Sequence, residues 1–318
     1  MKQDFYIGID IGGTVIKAGL FNADGVLHRK LSIPTPRKRS IDHFLDALVT
    51  AVQQLCPDLD PTPPIGIGIA GILDFERTTV LESPNLPFLQ GVKVFDLAYN
   101  RFNTSVFLEN DANCAALGEL WVGEGKDLDN FLLYTIGTGI GSGIILDKKL
   151  WTGEQGKAGE FGHIIVNPNG SLCSCGKVGC LEAEASGSAI IRSARQALLS
   201  GASSALLYQV GTGFDEVTPE HVYHAACAGD STCLEILRQC ATFLAIGMSN
   251  VNNLLDIHHF IIGGGVGTAL RLVHDHLSKM TKKMLFNVSK EKLTIHYAAL
   301  GNDAGMFGAG FLARRHKY

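Results

Sequence analysis

The sequence predicts an α/β protein built as two packed lobes, and three observations carry that reading. The chain has 318 residues, more than a single hydrophobic core usually covers. Each half contains a strand, a glycine-rich bend and a returning strand: IDIGGTVIKAGLF early, YTIGTGIGSGIIL later. From residue 185 onward, long segments repeat apolar residues at helical spacing.

The elements follow in order. FYIGIDI is a strand, Gly12-Gly13 the break and TVIKAGLF a second strand; Asn22-Ala23-Asp24-Gly25 is a hairpin turn into a third, VLHRKLSI. Ile41, Phe44, Leu45, Leu48, Val52 and Leu55 make 41–56 an amphipathic helix. CPDLDPTPP stops it, IGIGIAGIL is a buried strand, and VFLEND (106–111) precedes a helix from Ala112 to Val122. FLLYTI begins the second unit, GTGIGSG is its break and IIL its return, closed by an Asp147-Lys148-Lys149 turn. Helices are predicted at 186–200, 218–228 and 232–255. HHFIIGGGVG is a strand running into glycines, followed by a helix at 268–285, a strand at 292–298 and a last helix from Ala304.

Composition excludes several classes. With 46% apolar residues, 18% charged residues and a net charge of −4, the chain lacks the clustered basic surface that nucleic acid requires. The Arg37-Lys38-Arg39 run reads as a solvated loop. Asp10 interrupts the N-terminus before an apolar signal core could form, and no 18-residue apolar run occurs, so no membrane segment and a cytoplasmic location are expected. Three of the eight cysteines crowd into 173–180, which favours a local metal site over a secreted disulfide framework.

Four constellations carry chemistry. Asp10, Gly12, Gly13 and Thr14, with Lys17, could cradle a phosphate on backbone N–H groups, Asp10 orienting a hydrated Mg²⁺; a plain β-hairpin is equally open. Gly137-Thr138-Gly139-Ile140-Gly141-Ser142-Gly143 fits neither a dinucleotide fingerprint nor a GxxxxGK[ST] loop, yet paired with the first bend it gains a phosphate role. Glu109-Asn110-Asp111 ends a strand and opens a helix: Asp111 is either the N-cap or a carboxylate that accepts a hydroxyl proton. His163 with Cys173, Cys175 and Cys180 makes a closed tetrahedral set suited to structural Zn²⁺, favoured over a strained C-x-C disulfide. Gly176 and Gly179 let that loop turn, and folding it would gather Glu160 and Glu182, carboxylates fit for vicinal sugar hydroxyls. Gly263-Gly264-Gly265 is either a tight strand-to-helix turn or a platform for adenine.

Taken in order and spacing, IDIGGTVIK, ENDANCAALGE, TIGTGIGSGII, GEFGH, CSCGKVGCLE, IIGGGV and GNDAG resemble the ROK family of sugar kinases. That resemblance implies the actin–hexokinase–Hsp70 (ribonuclease H-like) duplicated fold with a central cleft, its lobes expected at 1–117 plus 303–318 and at 118–302. It implies ATP- and Mg²⁺-dependent transfer to the 6-hydroxyl of a hexose, glucose first, with N-acetylmannosamine, N-acetylglucosamine and fructose open. By carry-over Asp111 is the general base, and Gly71, Asn110, Glu160, His163 and Glu182 contact the sugar. Asp10, Gly12, Gly13, Thr14, Thr138 and Gly139 face the phosphates, Gly265 the adenosine, and His163, Cys173, Cys175 and Cys180 hold zinc. A homodimer is implied too. ROK relatives include sugar-sensing repressors, but those carry a DNA-binding element ahead of a body like this one, and the first phosphate strand here starts at Phe5. A nucleotide-switched ATPase of the same superfold would have no use for a zinc-shaped loop carrying two Glu residues.

Overall fold

The computed structural model describes residues 4–36, 40–211 and 213–315, so the Arg37-Lys38-Arg39 run lies outside them. The chain divides into two compact units, Met1–Leu133 with Gly143–Gly159 and Ala298–Tyr318, and Tyr134–Ser142 with Glu160–Tyr297.

The first unit is built on strands β1 (Phe5–Ile11), β2 (Val15–Asn22) and β3 (Leu27–Pro34), helix α1 (Ile41–Leu55), strand β4 (Ile65–Ile69), a short hairpin of β5 (Ile72–Leu73) and β6 (Val80–Glu82), helix α2 (Val94–Phe102), strand β7 (Val106–Asn110) and helix α3 (Asp111–Val122). The sheet order is β3-β2-β1-β4-β7, with β1, β4 and β7 parallel. Strand alternation sorts the side chains. Ile7, Ile9 and Ile11 join Phe44, Leu45 and Leu48 of α1 and Ala98 of α2 in one buried core. Each such side chain contributes about 1.5–3 kcal/mol by leaving water.

The opposite face is shaped by absence of side chains. Gly8 and Gly66 are direct register partners in the parallel β1–β4 ladder. An ideal Cβ on Gly8 would lie 2.0 Å from the carbonyl oxygen of Met306, and one on Gly66 1.9 Å from that of Ala309. The last helix, α11 (Ala304–Arg315), lies directly on that floor. It also packs on α3, where a Cβ on Gly118 would come within 2.3 Å of the Ala304 carbonyl oxygen.

A second five-stranded sheet runs β10-β9-β8-β11-β12, from strands β8 (Phe131–Ile136), β9 (Ile140–Leu146), β10 (Lys149–Leu150), β11 (His259–Gly263) and β12 (Thr294–Tyr297). In the second unit the 25-residue helix α8 (Ser231–Leu255) is packed by α4 (Leu181–Ala185), α5 (Gly187–Leu199), α7 (Pro219–Cys227) and α10 (His274–Met284). The short helices α6 (Leu206–Val210) and α9 (Gly265–Leu270) complete it. No helix among the described residues is long and apolar enough to cross a membrane.

Several expectations are corrected. IGIGIAGIL is not one strand: it breaks at Ala70-Gly71, between β4 and β5. The predicted helix 268–285 is α9, a 3-10 turn at Arg271–Val273 and α10. Only residues 137–139 form the second glycine bend, because Ile140 to Gly143 already belong to β9. Helix α2, although it buries Val94, Ala98 and Phe102 at helical spacing, escaped the sequence reading.

Candidate active site and metal centre

In the first unit the parallel strands bring the predicted residues to one end of the sheet. Asp10 of β1 pairs in register with Gly68 of β4, and Gly68 with Glu109 of β7. Asp10, Gly71 and Asn110-Asp111 therefore all lie at the carboxyl ends of adjacent parallel strands, where ligands bind in open α/β sheets. The break at Ala70-Gly71 has a purpose in this geometry: it turns the Gly71 carbonyl oxygen toward Asn110, whose Nδ2 donates to it at 3.0 Å.

Asn110, rather than Asp111, is the N-cap of α3. Its Oδ1 accepts from Ala112 N at 2.9 Å and from Asn113 N at 3.1 Å, which satisfies two of the orphan donors of the first turn. Asp111 is thus the first helical residue, with its Oδ1 3.0 Å from Ala112 N. Its carboxylate sits at the N-terminal end of the helix, beside the first-turn backbone N–H groups.

The β1–β2 bend is held from outside. Thr35 donates from Oγ1 to the Gly12 carbonyl at 2.7 Å and from N to the Thr14 carbonyl at 2.9 Å. A Cβ on Gly13 would lie 3.0 Å from Cβ of Asn85, a residue that the sequence reading did not single out. Burial pushes the Asp10 carboxyl up to about 6, opposed by Lys17 and reinforced by Asp303. Lys17 donates to the Asn302 carbonyl, and Lys30 Nζ lies 2.6 Å from Asp303 Oδ2. The Asp303 loop is itself anchored by fully buried Glu119, which accepts from Leu300 N at 2.9 Å and Ala299 N at 3.2 Å.

In the second unit the glycine bend and the cysteine loop meet. The Gly137 carbonyl accepts from Gly187 N at 2.8 Å, and the Thr138 carbonyl from Ser188 Oγ at 2.9 Å, so the start of α5 braces the bend. Glu182 Oε2 accepts from Ile140 N at 3.0 Å, and a Cβ on Gly139 would collide with that same oxygen at 2.4 Å. The other oxygen of Glu182 lies 3.1 Å from Ser174 Oγ and 3.8 Å from Cys173 Sγ.

Side-chain ligand atoms of His163, Cys173, Cys175 and Cys180 all lie within 4.8 Å of one another. Cys175 Sγ is 3.7 Å from Cys180 Sγ, and Cys173 Sγ is 3.6 Å from His163 Nδ1. Thiolates about 2.3 Å and imidazole about 2.0–2.1 Å from a shared tetrahedral zinc would be separated by roughly 3.5–3.8 Å. The sulfurs are also too far apart for a disulfide, so the donor set fits Zn²⁺. Gly176 and Gly179 hold φ of +84° and +76°, and a Cβ on Gly179 would lie 1.6 Å from the Asn167 carbonyl oxygen. Glu184, unremarked in the sequence, ties the loop by accepting from Ser171 N at 2.6 Å. The thiols are uneven: the backbone N–H of Lys177 draws Cys175 down, whereas burial pushes Cys180 up to about 12. Glu160 precedes a short 3-10 turn, Phe161–His163, its carbonyl accepting from His163 N at 3.0 Å.

Of the three glycines 263–265, the first of which ends β11, Gly264 is the one that must be glycine. It holds φ +83°, and a Cβ there would lie 2.3 Å from the Ile136 carbonyl oxygen. Around Gly265 nothing lies within 4 Å of an ideal Cβ.

Comparison with known proteins gives consistent results. The profile of the ROK family matches residues 6–316. The chain is 37% identical to a glucokinase of Streptomyces coelicolor over 311 residues, 97% of each chain. It is 31% identical to an N-acetylmannosamine kinase of Escherichia coli over 314 residues, 98% of this chain and 99% of the other. Its fold superposes with a TM-score of 0.84 on a ROK family glucokinase from Streptomyces griseus, solved in complex with glucose and AMPPNP, at 37% identity and covering 98% and 99% of the two chains. The α/β architecture is thus of the actin-like class.

Proposed function

Because the chain belongs to the ROK family, we propose that it transfers the γ-phosphoryl group of ATP to the 6-hydroxyl of a hexose, with glucose the first substrate. One observation carries this reading within the first unit: Asp10, Gly71, Asn110 and Asp111 converge at the carboxyl ends of three adjacent parallel strands. The S. griseus relative was solved with glucose and an ATP analogue, which supports the same substrate pair here.

Asp111 is the general base. It takes the proton of the attacking hydroxyl as that oxygen approaches the phosphorus. Asn110 and Gly71 position the sugar; Asn110 already spends its oxygen on the helix cap, leaving its amide to share between Gly71 and the ligand. Glu160, Glu182 and His163 receive further hydroxyls. His163 turns Nδ1 toward the thiols, which leaves Nε2 for the sugar. Asp10, Gly12, Gly13, Thr14, Thr138 and Gly139 serve the phosphates, and Gly265 admits the adenosine. Phosphoryl transfer is mainly positioning and charge neutralisation, which explains why backbone-lined bends recur in it. Mg²⁺, when bound, would neutralise phosphate charge near Asp10. Zn²⁺, when bound by His163, Cys173, Cys175 and Cys180, would fix the loop that carries Glu182.

The enzyme is proposed to work in the cytoplasm, where thiols stay reduced, and as a homodimer. The test is a coupled ADP-release assay over glucose, N-acetylmannosamine, N-acetylglucosamine and fructose with MgATP. Glucose should give the highest kcat/KM; a clear preference for N-acetylmannosamine would move the substrate assignment, and no sugar-stimulated turnover at all would overturn the reading.

A further inference from the structure

The β5–β6 hairpin carries a residue that neither motif nor carry-over singled out. Arg77 adopts φ +56°, a left-handed conformation uncommon for a side chain of its bulk. The turn is held there by Asp74, whose Oδ1 accepts from Thr78 N at 2.6 Å and Thr79 N at 3.0 Å, and whose Oδ2 accepts from Thr78 Oγ1 at 2.6 Å. Although burial opposes it, those hydrogen bonds draw the Asp74 carboxyl down to about 2.

So presented, the guanidinium reaches in three directions. Nε donates to Glu109 Oε2 at 2.9 Å, Nη1 to the Asp74 carbonyl at 3.0 Å, and Nη2 to the Gly156 carbonyl at 2.9 Å. Gly156 closes over it with φ +72°; a Cβ there would lie 2.5 Å from Nη1. Glu109 is 5% exposed. Its Oε1 accepts from Asn110 N at 2.8 Å and Asn113 Nδ2 at 3.0 Å. The acceptor pair therefore grips the backbone immediately before Asp111 and the first turn of α3.

We propose that Arg77 is a positioning residue for the catalytic corner, acting through Glu109 to fix the backbone that presents Asn110 and Asp111 and locking the loop around Gly156 to it. A hairpin that needed only stability would do as well with an apolar pair, since buried ion pairs seldom outperform one. Strained backbone concentrates where geometry serves function. A lysine could reach Glu109 but could not span all three acceptors, because it lacks the planar fork. The inference rests on Asp111 as the base.

The experiment compares Arg77→Met, Arg77→Lys, Glu109→Gln and the double variant Arg77→Met/Glu109→Gln, with Asp111→Asn alongside, each checked for folding by circular dichroism and thermal melting. Arg77→Met should lower kcat at least tenfold while KM for ATP stays within twofold, and Arg77→Lys should restore only part of the loss. The double variant should be no slower than the worse single, because both act on one corner. A folded Arg77→Met with kcat within twofold of the parent, or losses that multiply in the double variant, would overturn the proposal. Should Arg77→Met not fold, Arg77→Lys decides: full kcat sinks the idea, a reduced kcat at unchanged KM for ATP supports it. An active Asp111→Asn would instead discard the base assignment, whereas an inactive Asp111→Asn beside a fully active Arg77→Met discards the positioning role alone.

Discussion

The carboxylate of Glu182 accepts the backbone N–H of Ile140 at 3.0 Å while its other oxygen reaches Ser174 in the cysteine loop at 3.1 Å. One side chain thereby joins the second glycine bend to the cysteine loop. Glu182→Ala would strand the N–H of a residue only 6% exposed, at about 1–3 kcal/mol. With the bend proposed to serve ATP and the loop proposed to serve the sugar, KM for both should rise in this variant. Steady-state kinetics with each substrate varied in turn check this; a rise confined to the sugar would show that the link to Ile140 has no catalytic consequence.

Asp111→Asn should lower kcat by roughly 10²–10⁴-fold, the usual worth of a positioned general base, and leave the helix intact, because the cap belongs to Asn110. Sugar affinity measured by calorimetry should change far less than turnover. Comparable turnover in the variant would remove Asp111 from the mechanism.

Cys175→Ser should reduce bound zinc well below one equivalent per chain, read by elemental analysis of the purified protein, and raise KM for the sugar more than KM for ATP. Prolonged chelation of the parent protein should reproduce the same shift. Full zinc content with unchanged kinetics would show that Cys175 is not a ligand.

Much of this was readable in the sequence because it depends on local chemistry. The strand–glycine–strand units, the C-x-C-x₄-C spacing and the hairpin at Asn22–Gly25 are each decided within a dozen residues, and Asn22 Oδ1 does cap that turn by accepting from Asp24 N and Val26 N. What escaped depends on partners far along the chain. Nothing near Glu119 foretells that it anchors Leu300, 181 positions away, and Arg77 acquires its role only when β7 and the Gly156 loop come to it. The cap assignment slipped from Asp111 to Asn110 by one residue, since both side chains cap well and only the backbone can say where β7 ends.

Asp10 sets a pH dependence of stability. Its folded pKa of about 6 lies above the ordinary 3.8, so between those values the folded chain holds a proton that the unfolded chain has released. Stability contributed by this group is therefore full below about pH 4, declines as pH rises to about 6, and is flat beyond. Asp10→Asn should raise stability at pH 7 by at most about 3 kcal/mol, less to the extent that the carboxyl retains contact with water, and by nothing at pH 4. Denaturant midpoints at pH 4, 5, 6 and 7 test it, and a constant difference across that range would contradict the assignment.

The glycine floor under α11 has a consequence for biosynthesis. Gly8 and Gly66 leave a bare strip on the first sheet that Met306, Ala309 and Gly310 of α11 fill. At about 5–20 residues per second, roughly 12–50 s separate completion of that strip from its cover. A chain interrupted before residue 304 would have its earliest strands made but that strip unroofed.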